Sequence, residues 1–302
     1  MFFAVAQYHP QLAAQVLLTW QDCLARKPDL HFYALIDCLM GEEFPEFCSA
    51  QGWPAPLSVY AGQIGFDNAR HVSPSLLSLP GAPALLKPVL PPLLARCSGK
   101  PTLAFLVSTH PVEVVKAQLM RVASITDGDG ESWVLRFGDA RVWPPPSGWL
   151  TAEQHDHAFA GIDAWMAVNR HGQLRILDGR PDIAPADPDD FVRDFRVTEQ
   201  QFAQMIGWSE ADAHLARLAR TSEHAELTRS PIEQYDTARQ CLATLDRLAI
   251  DADQDRYQYI RFALFFPGDC ERHPAVANAL LMASQKQADL PTLLEGVTVP
   301  AA

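Results

Sequence analysis

The chain has 302 residues, of which 48% are hydrophobic and 20% charged, and this composition excludes a protein that is disordered throughout. Its 24 Lys and Arg residues against 36 Asp and Glu residues give a formal net charge of −12 at pH 7. Nucleic acids and anionic membranes attract basic surfaces. We therefore expect neither a nucleic acid nor a membrane as partner.

The apolar runs and the cysteines indicate the cellular compartment of the protein. Residues 1–6 are apolar, but no Lys or Arg precedes them and Gln7 and His9 end the run too early for a signal peptide. The run 262–267 is far shorter than the about 20 residues of a membrane span. Six cysteines are dispersed without a C-x-x-C pair, which favours reduced, buried thiols. We expect a cytoplasmic protein.

The first half of the chain alternates between helical and strand-like patterns of apolar residues. The predicted elements are helices over 11–27 and 42–51, strands over 30–37, 57–60, 76–79 and 103–107, a helix opening at 109–111, a turn at 127–130, a strand over 133–137, and a hairpin over 164–168 and 173–177. These predict an N-terminal lobe of mixed sheet and helix, of the α+β or α/β class, over residues 1–178.

The second half is predicted to be helical after a break in the pattern. Residues 179–194 are rich in Pro and Asp, which indicates a surface linker. Thr198 and Ser230 each start a capping-box pattern, and further helices are predicted over 254–266 and 274–287. We thus expect an all-helical lobe over 195–302.

No residue pattern predicts catalysis, a metal or a cofactor. His155 and His157 are two apart, so on a helix they point to different faces. Residues 127–131 resemble a calcium loop only faintly, because the position for its essential Glu holds Gly138. Residues 98–102 lack the glycine spacing of a phosphate loop. A Ser–His–Asp triad dispersed along the chain stays open.

Aromatic residues are the candidates for partner binding. Trp143 and Trp149 flank a rigid Pro run, and Tyr257, Tyr259 and Phe262 fall within one short helical stretch. Rigid aromatic surfaces are typical anchors of protein interfaces. The alternative interpretation is that these side chains pack into the cores of their own lobes.

Five short patterns in order resemble one known family, the cytoplasmic adaptor chaperones of bacterial type VI secretion. They are YALID at 33–37, SPSLLSL at 73–79, LVST at 106–109 with VVKAQL at 114–119, LRFGDARV at 135–142, and FRVTEQQF at 195–202. The defined resemblance covers about residues 30–150. Gln118 and Gly138 depart from the residues common in the family, a His and an aromatic.

The resemblance implies a non-enzymatic adaptor that binds a cognate toxic effector and promotes its loading onto the VgrG spike protein. It marks Tyr33, Asp37, Arg136, Asp139 and Arg141 as structural motif residues. Asp37 and Arg136 stand in apolar runs, where a charge must be paired or hydrogen-bonded, so we expect both to stabilise the fold.

Two other functions stay open from the sequence. One is a hydrolase or transferase with an unrecognised active site, and the other is a structural subunit of a secretion assembly. Because the family-like patterns lie mostly before residue 150, we expect the helical lobe to contribute to the choice of effector.

Overall fold

The computed structural model describes residues 3–37, 43–61, 73–146, 148–189 and 195–297. The chain divides into two compact units, which we call the sheet unit, Val5–Met205, and the helical unit, Met1–Ala4 with Ile206–Ala302. The sheet unit combines antiparallel strands with helices, and the helical unit is built from helices. The predicted class is confirmed as α+β.

The strands are those of the sheet unit. They are β1 His31–Ile36, β2 Leu57–Ser58, β3 Ser75–Leu79, β4 Leu103–Ser108, β5 Ser124–Thr126, β6 Ser132–Val134, β7 Ala164–Val168, β8 Leu174–Asp178 and β9 Phe195–Arg196. The first six helices are α1 Leu12–Arg26, α2 Glu43–Ala50, α3 Pro83–Leu86, α4 Leu90–Cys97, α5 Val112–Arg121 and α6 Ala152–Phe159. Helix α7, Glu199–Leu218, continues past the division at residue 205.

Six strands form an antiparallel sheet in the order β2-β3-β1-β4-β7-β8. Every residue of β4 and β7 is buried, so both faces of the sheet are covered. This burial explains why these strands are continuous apolar runs in the sequence, without the alternation of a half-exposed sheet. On the face that packs against α1, Trp20 stacks on Phe32 at 4.8 Å and Phe32 on Phe105 at 5.4 Å.

A second sheet, β6-β5-β9, corrects the predicted domain boundary. Strand β9 pairs in parallel with β5, so residues 195–196 belong to the sheet unit. The predicted linker is also packed there, because the buried Ala186 N–H donates to Gln118 Oε1 at 3.0 Å. Gln118 Nε2 in turn donates to the carbonyl of His157 at 2.7 Å. Residues 179–189 are irregular and largely exposed, as expected, but they belong to the sheet unit and do not link two lobes. Residues 190–194 lie outside the described residues.

The helical unit packs its helices around one apolar core. After a 3-10 helix, Ser222–Glu226, its helices are α8 Pro231–Arg247, α9 Asp253–Phe265, α10 Pro274–Ser284 and α11 Leu290–Glu295. The predicted capping box at Ser230 is confirmed, since its side chain accepts from the N–H of Glu233. No helix within the described ranges has the length and apolar character needed to cross a membrane.

Buried ionisable groups predict a loss of stability at alkaline pH. Burial raises the pKa of Tyr33 and of the Cys97 thiol to about 12 each, against about 10 and about 9 in the unfolded chain. Both groups are largely neutral in both states below about pH 8, so their contribution is fully present there. As the pH rises towards 12 the unfolded state loses protons first, and the contribution is lost.

We therefore expect a lower urea midpoint at pH 10.5 than at pH 8.5. In Tyr33→Phe the difference between the two midpoints should be smaller, because one of the titrating groups is gone. Equal midpoints of the unaltered protein at the two pH values would contradict the burial of these groups.

Candidate functional site

Four of the five structural motif residues form one ion-pair cluster, which consists of Asp37, Arg136, Asp139 and Arg141. Arg136 Nη2 lies 2.6 Å from Asp37 Oδ1 and 3.5 Å from Asp139 Oδ2. Arg141 forms a bidentate pair with the Asp139 carboxylate, with Nη2 2.6 Å from Oδ2 and Nε 2.9 Å from Oδ1. Two negative charges are thus matched by two positive ones.

The backbone at the end of the sheet brings the cluster together. Asp37 directly follows β1, and its N–H donates to the Thr102 carbonyl at 2.9 Å. The N–H of Ala140 donates to the neighbouring Pro101 carbonyl at 3.0 Å. A Cβ on Gly138 would lie 3.0 Å from Asp37 Cα, so this close approach favours glycine. The predicted strand over 133–137 accordingly ends at Val134, where the chain turns towards Asp37.

The ion-pair cluster connects the end of β1 to the segment 136–141. The side chains of Asp37 and Asp139 are 2% and 0% exposed, so both carboxylates are enclosed by the fold and satisfied by the two arginines. The fifth motif residue, Tyr33, lies apart from it, and its hydroxyl donates to the His110 carbonyl at 2.8 Å. That bond ties β1 to the segment before α5.

The two tryptophans expected on a binding surface are buried, which corrects that expectation. Trp143 is 2% exposed and packs within 5.7 Å of Phe159 and 6.2 Å of Phe195, ring centre to ring centre. Trp149 is 7% exposed, and its Nε1 donates to the Gln201 carbonyl. Both rings fill the sheet unit's interior, so they offer no open docking surface.

The two tyrosines of α9 are core residues as well, and the same correction applies. Tyr257 is 6% exposed beneath the guanidinium of Arg217, which lies 3.8 Å from its ring centre. Tyr259 is fully buried beside Cys270, whose thiol donates to its hydroxyl at 3.8 Å. The helical core uses these rings for its own packing.

Phe262 is the one sequence candidate that lines an open surface. We call this surface the aromatic groove. It has a volume of about 410 Å³ and is lined by Glu223, Glu226, Arg261, Phe262 and Phe265. Phe265 is 37% exposed, while Phe262 is half-buried with its ring 5.5 Å from that of Phe266.

The groove combines aromatic rings with acidic groups. The carboxylate of Glu223 accepts from both Nε and Nη2 of Arg261 at 2.7 Å, and these bonds lower the pKa of Glu223. Arg261 is thereby neutralised, whereas Glu226 is exposed and forms no ion pair with a described residue. A smaller hollow of about 250 Å³ continues past Arg261 to Glu295. The groove therefore suits an apolar side chain accompanied by a positive charge.

A separate pocket in the helical unit is relevant to the alternative that the protein is a hydrolase or transferase. It holds about 360 Å³ and is lined by residues that include Cys241 and Cys270. Burial raises the pKa of both thiols, which opposes the thiolate form that a nucleophile needs. Within the described ranges, no group of three His, Cys, Asp or Glu side chains is placed to hold a metal ion.

Sequence reasoning missed most of the groove. Glu223 and Arg261 are 38 positions apart and meet only because the 3-10 helix packs beside α9. The available signal was the density of aromatic residues in 257–266, which is too great for one helical face. That signal identified the right helix but could not tell Phe265 from the buried rings.

Comparison with known proteins gives one match. Residues 32–157, about two fifths of the chain, match the model of a family described as a domain of unknown function, DUF4123. No curated protein and no solved structure matches the chain.

The ion-pair cluster predicts a large effect of one substitution. Arg136→Ala leaves the buried Asp37 carboxylate without its closest cation, which should lower the free energy of unfolding by about 3 kcal/mol. Arg272→Ala is the matched control, because its pair with Asp269 is on the surface and should contribute less than about 1 kcal/mol. Urea unfolding of both variants measures the difference. Equal midpoints for the two variants would show that the cluster does not stabilise the fold.

Proposed function

We propose that this protein is an adaptor chaperone of a bacterial type VI secretion system. In this proposal it binds one toxic effector in the cytosol and promotes loading of that effector onto the VgrG spike. The observation that carries the proposal is that the family match and the family-like patterns fall on the same residues. The family match over 32–157 encloses four of the five patterns by which the sequence resembles such adaptors.

The structure supplies a surface of the required kind. An adaptor needs an exposed apolar contact with its cargo, and the aromatic groove provides Phe265 and Phe262 beside Glu226, which forms no ion pair with a described residue. Aromatic anchors that become buried on association dominate the energetics of protein interfaces. The groove lies in the helical unit, which agrees with the expectation that this part of the chain contributes to effector choice.

Deletion of the gene tests the proposal directly. The first step is to search the genes next to this one for a toxin, which then serves as the candidate effector. Secretion of that toxin should fail in the deletion strain and return when the gene is supplied on a plasmid. Co-expressed, the two proteins should co-elute in size exclusion. If the toxin is equally soluble and equally secreted without this protein, the adaptor proposal is wrong.

The groove predicts which residue the effector contacts. Phe265→Ala should weaken effector binding at least about tenfold, because an exposed ring that becomes buried in an interface is a typical hot spot. Because most of the ring is already buried in the fold, the melting temperature should fall as well, so the affinity is measured at a temperature at which the variant is folded. Isothermal titration calorimetry with purified effector measures the affinity.

Leu281→Ala is the matched control for this experiment. Leu281 is 52% exposed on α10 of the same unit and does not line the groove. Its removal should leave the affinity unchanged. Full affinity of Phe265→Ala, or an equal loss in Leu281→Ala, would exclude the aromatic groove as the effector site.

A further inference from the structure

The hairpin formed by β5 and β6 presents an open strand edge in the sheet unit. In the order β6-β5-β9, strand β6 is the outer strand and pairs with β5 alone among the described residues. All residues from 128 to 134 are exposed, including the large apolar side chains Trp133 and Val134 at 49% and 48%. An exposed edge of this kind is a template for pairing with another strand.

The register shows which backbone groups face outward. The N–H of Asp127 donates to the Glu131 carbonyl at 3.0 Å, and that of Leu135 to the Ala123 carbonyl at 2.9 Å. Hydrogen-bonded pairs alternate along an antiparallel ladder, so between these two pairs Trp133 is the residue bonded to β5. Ser132 and Val134 therefore direct their N–H and C=O groups to the open side.

Trp133 is held rigidly although it is half in solvent. Its Nε1 donates to Asp127 Oδ2 at 2.8 Å, and its ring lies 5.4 Å from that of Phe202. The side chain thus loses little conformational entropy when a partner covers it. A fixed, exposed indole beside an open edge is an anchor for binding, since it is only partly used by the fold.

The charge of the hairpin indicates the chemistry of the partner. Residues 122–135 contain three acidic side chains and no Lys or Arg. Asp127 is used within the hairpin, where it accepts from the N–H of Glu131, but Asp129 and Glu131 form no ion pair with a described residue. A second copy of this edge would bring like charges together, whereas a basic segment would neutralise them.

We propose that the outer edge of β6 binds an extended, basic segment of a partner protein by strand addition. The segment hydrogen-bonds to the backbone of Ser132 and Val134, covers the Trp133 ring with an apolar side chain, and places Lys or Arg beside Asp129 and Glu131. This mode takes its affinity from main-chain bonds and its specificity from alternate side chains. The proposal does not depend on the effector or on the aromatic groove.

A synthetic peptide tests this binding mode on the full chain. The probe is a fluorescein-labelled decapeptide of alternating Val and Lys, and its control alternates Val and Glu. Fluorescence anisotropy should show saturable binding of the Lys peptide and none of the Glu peptide. Bound peptide should slow hydrogen exchange at the amides of Ser132 and Val134 and leave that of Trp133, already bonded to β5, unchanged.

Variants at the edge separate strand addition from simple charge attraction. Val134→Pro removes an outward N–H without removing a β5–β6 bond, so it should weaken peptide binding at least about tenfold. Val134→Ala keeps the N–H and should bind far better than the Pro variant. The double variant Asp129→Lys with Glu131→Lys alters only exposed side chains and should reverse the preference to the Glu peptide.

Three results would overturn the proposal. The first is equal peptide binding by Val134→Pro and Val134→Ala when both are folded. The second is an unchanged peptide preference in the double Lys variant. The third is slow hydrogen exchange at Ser132 and Val134 in a peptide-free dimer that ultracentrifugation detects. The last would identify a second copy of the chain as the occupant. Because no effector enters the assay, each of these outcomes leaves the adaptor proposal intact.

Discussion

The buried carboxylate of Asp37 constrains the whole sheet unit. A charge with 2% exposure must be paired or hydrogen-bonded, and Arg136 pairs with Asp37 from a segment 99 residues further along the chain. The same segment carries Asp139, whose carbonyl accepts from the N–H of Trp143 at 2.9 Å. Pairing Asp37 thus also fixes where the Trp143 ring enters the core. The cluster, neutral in total, joins the end of the central sheet to the aromatic interior.

This use of aromatic residues decides which of them can bind a partner. Rings that complete the interior, such as Trp143 and Tyr259, are unavailable without unfolding. Among the described residues, the exposed large aromatics are Trp133 in the sheet unit and Phe265 in the helical unit. Each lies beside acidic groups that form no ion pair with a described residue, Glu131 and Glu226 respectively. Both surfaces therefore favour a partner that is apolar and basic, in keeping with the chain's formal net charge of −12.

Local patterns were enough to predict most elements, and tertiary contacts account for the failures. Apolar runs located β1 and β4 because both faces of the sheet are buried. Helices α3 and α4 were missed, since their Pro residues occupy first-turn positions that a helix tolerates but that indicate a break in the sequence. The segment 179–189 is exposed as predicted but does not link two lobes, because Gln118, 68 positions away, binds Ala186 within the sheet unit. The sequence predicted only that Asp37 and Arg136 would each be paired or hydrogen-bonded. It did not predict that they would pair with each other.

Hydrogen exchange of the full chain, alone and in complex with the effector that the secretion test identifies, tests the central claim most directly. That claim is that the cluster is structural and that the aromatic groove binds the effector. We predict slower exchange on complex formation in residues 222–226 and 258–265, which line the aromatic groove. Exchange in residues 136–142, around the ion-pair cluster, should be slow in both states. Protection that appears at 136–142 while 222–226 and 258–265 stay unchanged would contradict the account.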